Sequence, residues 1–267
     1  MASPGDLTVR SGRVKTARRL ATRAFRARTG EFLAEGPQAV REALAAVSDS
    51  GQDVVIEVFA TVEATERYPE LEQSAEVWHV VTDDVVADIA DSVTPQGLVA
   101  RCRSVLTTIE DVPQDARLVV VCAEIRDPGN LGAVIRCADA AGAAGVVVAG
   151  ESVDPLNPKV VRATAGSLFH LPIAVEDDVE AVIAELQSRG VQVLAADGAG
   201  ETGLFDADLD LAAPTAWLMG NEAHGLPDAW SALADRVVHV PILGRAESLN
   251  LATAAAVCLY ASAREQG

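Results

Sequence analysis

The sequence predicts an α/β protein in two parts, the second built on a mostly parallel sheet. Three observations predict it. Short apolar runs alternate with segments of helical periodicity along nearly the whole chain. In the second part these runs are continuous, as in Leu118-Val119-Val120-Val121-Cys122-Ala123, which is the pattern of strands buried on both faces. Between the two series lies a polar stretch, 104–116, which contains Pro113 and reads as a linker.

Taken in order, residues 1–12 read as a disordered start. From Arg13 to Arg28 the pattern suits a basic helix, stopped at Thr29-Gly30. Phe32–Gly36 is a short apolar piece with a turn. Gln38–Val47 reads as a helix with Val40, Ala43, Leu44 and Val47 on one face. Strands follow at 53–60, 77–81 and 97–102, with a helix at 83–90 whose acidic start suits the positive end of a helix dipole. Residues 13–103 therefore form one small α/β domain, and 117–267 a second. The second has strands at 117–123, 145–149, 191–196, 215–219 and 237–241. Its helices fall at about 130–142, 157–166, 178–189 and 227–233, and it closes with a helix at 248–264.

Composition narrows the class. Of 267 residues 49% are hydrophobic, enough for a sizeable core, yet no apolar run reaches the roughly 18 residues of a membrane helix. The basic N-terminus lacks the apolar centre of a secretory signal. Cys102, Cys122, Cys137 and Cys258 form no CxxC pair and no metal spacing, so no metal site is expected. They read as reduced thiols of a cytoplasmic protein. The net charge of −18 disfavours a nucleic-acid partner, but its distribution does not. Residues 1–28 hold eight Arg/Lys against one acid, Asp6. That asymmetry suits a basic element serving an anionic partner, and it equally suits a solvated helix face.

Three stretches place polar residues where a plain core needs none. In Asn130-Leu131-Gly132-Ala133-Val134-Ile135-Arg136, the packing stripe is Leu131, Val134, Ile135 and Ala138. Arg136 lies off that stripe and Asn130 at the start of the helix; they read as a surface charge and a helix cap as readily as site residues. In Gly220-Asn221-Glu222-Ala223-His224-Gly225-Leu226, a strand runs into a glycine-flanked polar turn. Glu222 lies just past a strand's carboxyl end, the usual site position in open α/β sheets. His224 has a pKa suited to acid–base work, but a lone His beside a turn is more often structural. In Ile242-Leu243-Gly244-Arg245-Ala246-Glu247-Ser248-Leu249-Asn250-Leu251-Ala252, a polar loop leads into an Ala-rich helix. Ser248 is a natural N-cap there, and Asn250 falls in the first turn without an obvious structural duty. No GxGxxG after a strand, P-loop, HExxH or GxSxG is present.

Together and in this order, about 90 and 25 residues apart, the three stretches resemble the three motifs of the SpoU/TrmH family of RNA ribose 2′-O-methyltransferases, within the SPOUT superfamily. The likeness covers about 117–264. More loosely, Glu35-Gly36, Ala39–Leu44 and Gln96–Ala100 resemble the ribosomal-protein-L30e-like substrate-binding domain common in that family. The resemblance implies a catalytic α/β domain with a deep trefoil knot, a homodimer formed through it, and S-adenosylmethionine as cofactor. Gly220, Ile242 and Leu249, with Leu218 and Leu251 beside them, match the cofactor positions. Arg136, Asn130, Glu222, Ser248 and Asn250 match the catalytic ones.

The family gives its arginine the task of activating the ribose hydroxyl. A guanidinium normally stays protonated, so Arg136 better suits clamping the target phosphate and stabilising the forming alkoxide. Asn130 and Asn250 would orient ribose and Arg136, Glu222 would position Arg136 or its loop, and Ser248 would cap the last helix. Arg13, Arg18 and Arg19, with Lys159 and Arg162, are the expected RNA contacts. The two-domain layout resembles that of family members acting on large-subunit ribosomal RNA, a resemblance that implies 23S ribosomal RNA rather than transfer RNA, whether as housekeeping modification or as protection against a ribosome-targeting antibiotic. A non-catalytic RNA- or ribosome-binding protein of the same fold is the competing reading.

Overall fold

The computed structural model describes residues 5–47, 51–221 and 225–267. The chain divides into two compact units, one comprising Met1–Val105 with Leu156–His170, the other Leu106–Pro155 with Leu171–Gly267. The first unit runs to Val105 and also takes in the stretch 156–170, which no periodicity reveals.

The first unit begins with two short helices, α1 (Gly12–Arg19) and α2 (Arg23–Thr29), not one. Leu20 closes α1, and Gly30 ends α2 in the left-handed conformation that favours glycine. Residues 5–11, expected to be disordered, are held: Gly5 N–H donates to Val80 O at 2.8 Å, and Leu7 and Val9 pack against the core. Then come β1 (Glu31–Glu35), α3 (Pro37–Ala45), β2 (Val55–Thr61), α4 (Val62–Arg67), α5 (Pro69–Ser74), β3 (Trp78–Val81), α6 (Asp83–Ile89) and β4 (Leu98–Arg103). The strands form a mixed sheet in the order β1-β4-β2-β3, in which only β2 and β3 run parallel. Phe32–Gly36 was legible only as an apolar piece because β1 is a short strand buried on both faces and shows no alternation.

One side of that sheet carries a charge cluster. Glu57, on β2, is fully buried. Its carboxylate accepts from Arg101 at 2.7 Å and Arg13 at 2.9 Å and lies 3.0 Å from His79 Nε2. Arg101 also holds Glu31 through two nitrogens, at 2.8 and 2.9 Å. Burial pushes the Glu57 carboxyl up, but the hydrogen bonds from Arg101, Arg13 and His79 outweigh it and hold the group below the usual carboxylate range.

The second unit is one eight-stranded sheet. Its elements are β5 (Leu106–Thr107), β6 (Leu118–Ala123), α7 (Pro128–Ala140) and β7 (Gly145–Ala149). After α8 (Pro158–Thr164), which belongs to the first unit, come β8 (Ile173–Glu176), α9 (Val179–Ser188), β9 (Gln192–Ala196) and β10 (Thr202–Gly203). The chain ends with β11 (Thr215–Met219), α10 (Asp228–Leu233), β12 (Arg236–His239) and α11 (Leu251–Gln266). The order is β10-β12-β9-β11-β6-β7-β8-β5, and every pairing is parallel.

All six residues of β6 and all five of β11 are buried, as strands covered on both faces must be. Each aliphatic side chain so buried contributes about 1.5–3 kcal/mol. Val119, Val121 and Ala123 share a cluster with Val182, Ile183 and Leu186 of α9. On the other face Trp217, fully buried, donates its indole N–H to Ser262 of α11 at 2.9 Å. The expected linker is not one. Its residues include β5, which pairs with β8, and a turn at Ile109–Asp111, with Arg189 donating to the carbonyls of Ile109 and Val112. Among the described residues no helix is long and apolar enough to cross a membrane.

Replacing Glu57 should expose the cost of the cluster. Glu57→Gln leaves Arg101 and Arg13 facing a neutral amide in a buried site and should cost about 3 kcal/mol, read by urea unfolding. The pH dependence follows from the depressed carboxyl. Its stabilisation is complete above the ordinary carboxylate range and is lost as pH falls through that range toward the folded value. The wild type should lose stability over that acid interval more steeply than Glu57→Gln.

Candidate active site

Because the second sheet is parallel, its strands all end along one edge, where open α/β sheets place their sites. The three polar stretches follow β6, β11 and β12, and so meet there.

The first begins with Glu124, a non-glycine residue at φ 54°, strained by roughly 1–2 kcal/mol. Its N–H donates to Ala149 O at 3.1 Å and its carbonyl accepts from Asn221 Nδ2 at 2.9 Å. The helix α7 is capped by Asp127, not Asn130: the Asp127 carboxylate accepts from Asn130 N–H at 2.8 Å, and Pro128 opens the first turn. Leu131, Val134, Ile135 and Ala138 are fully buried, as their spacing predicts. Arg136 is exposed, and no hydrogen bond or ion pair engages its side chain among the described residues. Cys137 beside it is held up by burial against the pull of Arg136, so it offers no thiolate near neutrality.

The second stretch turns tightly. Gly220 is buried, and a Cβ there would lie 2.7 Å from both the carbonyl carbon and oxygen of Gly225 and from Leu226 Cγ, so only glycine fits. Asn221 and Gly225 exchange two backbone hydrogen bonds, of 3.1 and 2.9 Å. Glu222 and His224 lie outside the described residues. Leu218 is a core residue: its side chain is fully buried in the cluster under α9, because β11 is covered on both faces, so it has no surface for a ligand.

The third stretch is open. From Pro241 to Leu249 no backbone group is hydrogen-bonded among the described residues, while Ile242, Leu243 and Leu249 are exposed, Leu243 almost completely at 94%. The helix starts three residues later than expected. Asn250, not Ser248, is the N-cap, and its Oδ1 accepts from Ala252 N at 3.0 Å and Thr253 N at 3.4 Å. Ser248 is exposed in the loop and Leu251 half-buried in the first turn.

That cap fixes the Asn250 amide, so its N–H is what faces Asn130. Asn250 Nδ2 donates to Asn130 Oδ1 at 2.9 Å, joining the first and third stretches across 120 residues of sequence. With Asn221 on Glu124, all three loops are linked. Sequence reasoning did not single out Asp197, a neighbour of the second stretch whose carboxylate accepts from Ala199 N–H at 2.8 Å. It follows β9, between β11 and β12, is half-buried, and has a carboxylate oxygen 3.1 Å from where a Cβ on Gly225 would stand. An acid directly after an apolar strand was the available signal.

The expected RNA contacts all fall in the first unit, and three of the five are already engaged. Arg13 binds Glu57, Arg18 binds Asp88 at 3.0 Å, and Arg162 binds Glu35 at 3.0 Å and Asp91 at 3.1 Å. These arginines meet carboxylates because an acidic chain supplies them nearby, so their charge is largely neutralised. Lys159 is exposed with no carboxylate partner among the described residues, and Arg19 lies over the Phe25 ring. Among the described residues no group of three or more His, Cys, Asp or Glu could hold a metal ion.

The chain and its fold are similar to those of known proteins. The family model of the SpoU rRNA Methylase family matches residues 117–260, and that of the MRM3-like substrate binding domain matches 12–100. The chain is 32% identical to the 23S rRNA (guanosine(2553)-2′-O)-methyltransferase RlmP of Bacillus subtilis, over 95% of this chain and 96% of that protein. Its fold is similar to that of the SpoU methyltransferase AviRb from Streptomyces viridochromogenes, solved in complex with the cofactor AdoMet. That match has a TM-score of 0.84 at 30% identity and covers 96% of this chain and 99% of that one. An AdoMet-bound rRNA methyltransferase from Sinorhizobium meliloti matches with a TM-score of 0.82 at 32% identity over 96% of each chain.

Two substitutions separate the duties of Asn250. Asn250→Ala removes the cap and should cost about 1 kcal/mol in thermal or urea unfolding. Asn250→Asp keeps an acceptor for the cap but sets a carboxylate oxygen against Asn130 Oδ1. It should hold stability within about 0.5 kcal/mol of wild type, because Asp caps as well as Asn does. Equal destabilisation by both would mean that the asparagine pair, rather than the cap, carries the stability.

Proposed function

The chain belongs to the SpoU rRNA methylase family, and from that premise we propose that it is an enzyme transferring the methyl group of S-adenosylmethionine to a ribose 2′-hydroxyl of 23S ribosomal RNA. The observation that carries the site assignment is the Asn250–Asn130 hydrogen bond, which brings two motifs together at the edge of the sheet beside the helix bearing Arg136. The 23S substrate is favoured over transfer RNA by the names of the relatives, and the match to a substrate-binding domain over 12–100 supports the reading that 13–103 holds the RNA.

The residues present fit the cofactor. Gly220 keeps its loop free of a side chain, and Ile242 and Leu249 expose apolar surface beside backbone groups that have no hydrogen-bond partner among the described residues. Such a surface suits an adenine and a methionine chain held through the main chain. Leu251, half-buried at the start of α11, completes it, and Leu218 supports it only from the core. When bound, the cofactor supplies an electrophilic methyl.

The chain must bring the hydroxyl into line and carry the charge that develops on its oxygen. Arg136, exposed and unpaired with any described carboxylate, would bind the target phosphate and stabilise that charge, its guanidinium remaining protonated. Asn130 would orient the ribose, itself oriented by Asn250. Ser248 would act from the loop as an exposed hydroxyl, and Glu222 would position Arg136, a role that rests on the motif alone.

A homodimer through the catalytic domain, a trefoil knot within it and a cytoplasmic location belong to the same proposal. Support for the dimer comes from α11, where Leu251, Val257 and Tyr260 remain partly or largely exposed on an otherwise apolar helix. On α7 Asn130 and Arg136 are six residues apart, so they point roughly 120° away from each other, as two sides of a shared site would require.

Calorimetric titration with S-adenosylmethionine should show binding, and its absence in a folded wild type would reject the enzymatic reading in favour of a pure RNA binder. Arg136→Ala should bind the cofactor as wild type does and lose about 10²-fold or more in kcat on 23S rRNA transcripts. Unchanged turnover would remove Arg136 from the mechanism.

A further inference from the structure

The eight basic residues of the N-terminal segment divide into two groups. Arg13 and Arg18 bind carboxylates, and Arg26 is buried and donates to the carbonyls of Leu20 and Ala21. Arg10, Lys15, Arg19, Arg23 and Arg28 are exposed, and no ion pair joins them to a carboxylate among the described residues. Lys15 and Arg19 stand one turn apart on α1, on the same face. Arg19 and Arg28 share one aromatic ring: their guanidinium carbons lie 4.2 and 4.8 Å from the centroid of Phe25. The ring fixes both side chains without neutralising either.

We propose that Lys15, Arg19 and Arg28 form a phosphate-binding stripe through which the first unit docks the sugar–phosphate backbone of its RNA. The proposal rests on the RNA reading above and names the surface that serves it. A helix selected only for solubility on this chain would interleave acids, as Asp88 answers Arg18. Neither α1 nor α2 contains an acidic residue, and Arg19 and Arg28 stand in the last turns of their helices, where the helix dipole favours a cation. Like charges gathered without acids between them, on a chain of net charge −18, give a polyanion a favourable landing place on this unit. A membrane surface fits less well. An interfacial helix needs an apolar face to insert, and Val14, Ala17, Leu20 and Phe25 are already buried in the core.

The test uses the full chain and end-labelled 23S rRNA transcript, with affinity measured between about 50 and 200 mM salt. Lys15→Gln/Arg19→Gln/Arg28→Gln should bind at least about tenfold more weakly at the low end. The slope of log affinity against log salt should shrink by about 2, since each neutralised phosphate contributes roughly 0.7–0.9. Arg19→Lys/Arg28→Lys keeps charge and ring contact and should keep the wild-type slope, as should Arg18→Gln. An unchanged slope in the triple variant overturns the stripe, as does an equal loss in Arg18→Gln. So does stripe-dependent binding to phosphatidylglycerol vesicles with unaltered RNA affinity. S-adenosylmethionine binding is measured on every variant. If the wild type lacks it, the methyltransferase reading fails while the salt slopes still decide the stripe.

Discussion

Parallel pairing is the constraint on which the site depends. Strands that run the same way end on the same side, so β6, β11 and β12, far apart in sequence, deliver their following loops to one edge. The sheet can be all-parallel because its central strands β6, β7 and β11 are buried along their whole length and helices cover both faces. With that scaffold rigid, short side-chain bonds suffice to hold the loops in register. Asn250 reaches Asn130, and Asn221 reaches Glu124. None of these bonds is strong alone, at about 0.5–1.5 kcal/mol net each. They act on loops whose ends are already fixed, so their work is orientation.

What was legible in the sequence follows from this. Long buried strands announce themselves, and 118–123, 145–149 and 215–219 emerge within a residue of their predicted bounds. Two-residue edge strands such as β5 and β10 carry no period and could not be seen. The packing stripe of α7 was readable, but its cap was not, because Asp127, Asn130 and the intervening Pro128 all suit a helix start and only geometry chooses. The same ambiguity moved the cap of α11 from Ser248 to Asn250. Leu218 was matched to a motif position by its neighbourhood, whereas its side chain obeys the alternation of its strand. Partnerships between arginines and distant carboxylates, such as Arg162 with Glu35 across 127 residues, lie beyond any local pattern.

Charge has two uses in this chain. In one, arginine ties elements together: Arg101 and Arg13 on Glu57, Arg162 on Glu35 and Asp91, Arg189 on two carbonyls. In the other, positive groups have no carboxylate partner among the described residues, as at Arg136, Lys15, Arg19 and Arg28. Net charge and isoelectric point merge the two uses, so composition alone pointed away from an anionic partner. Only the partner of each guanidinium separates structural cations from those available to a ligand.

The buried Glu57 has a further consequence for the end of the chain. Terminal helices usually fray first and are trimmed first by proteases. Here α1 cannot lift away without withdrawing Arg13 from a carboxylate that has no access to water. Local opening of the terminus is therefore coupled to disruption of the sheet beneath it. Its backbone amides should exchange with solvent at rates close to those of β2, and the first susceptible bonds under limited proteolysis should lie elsewhere in the chain.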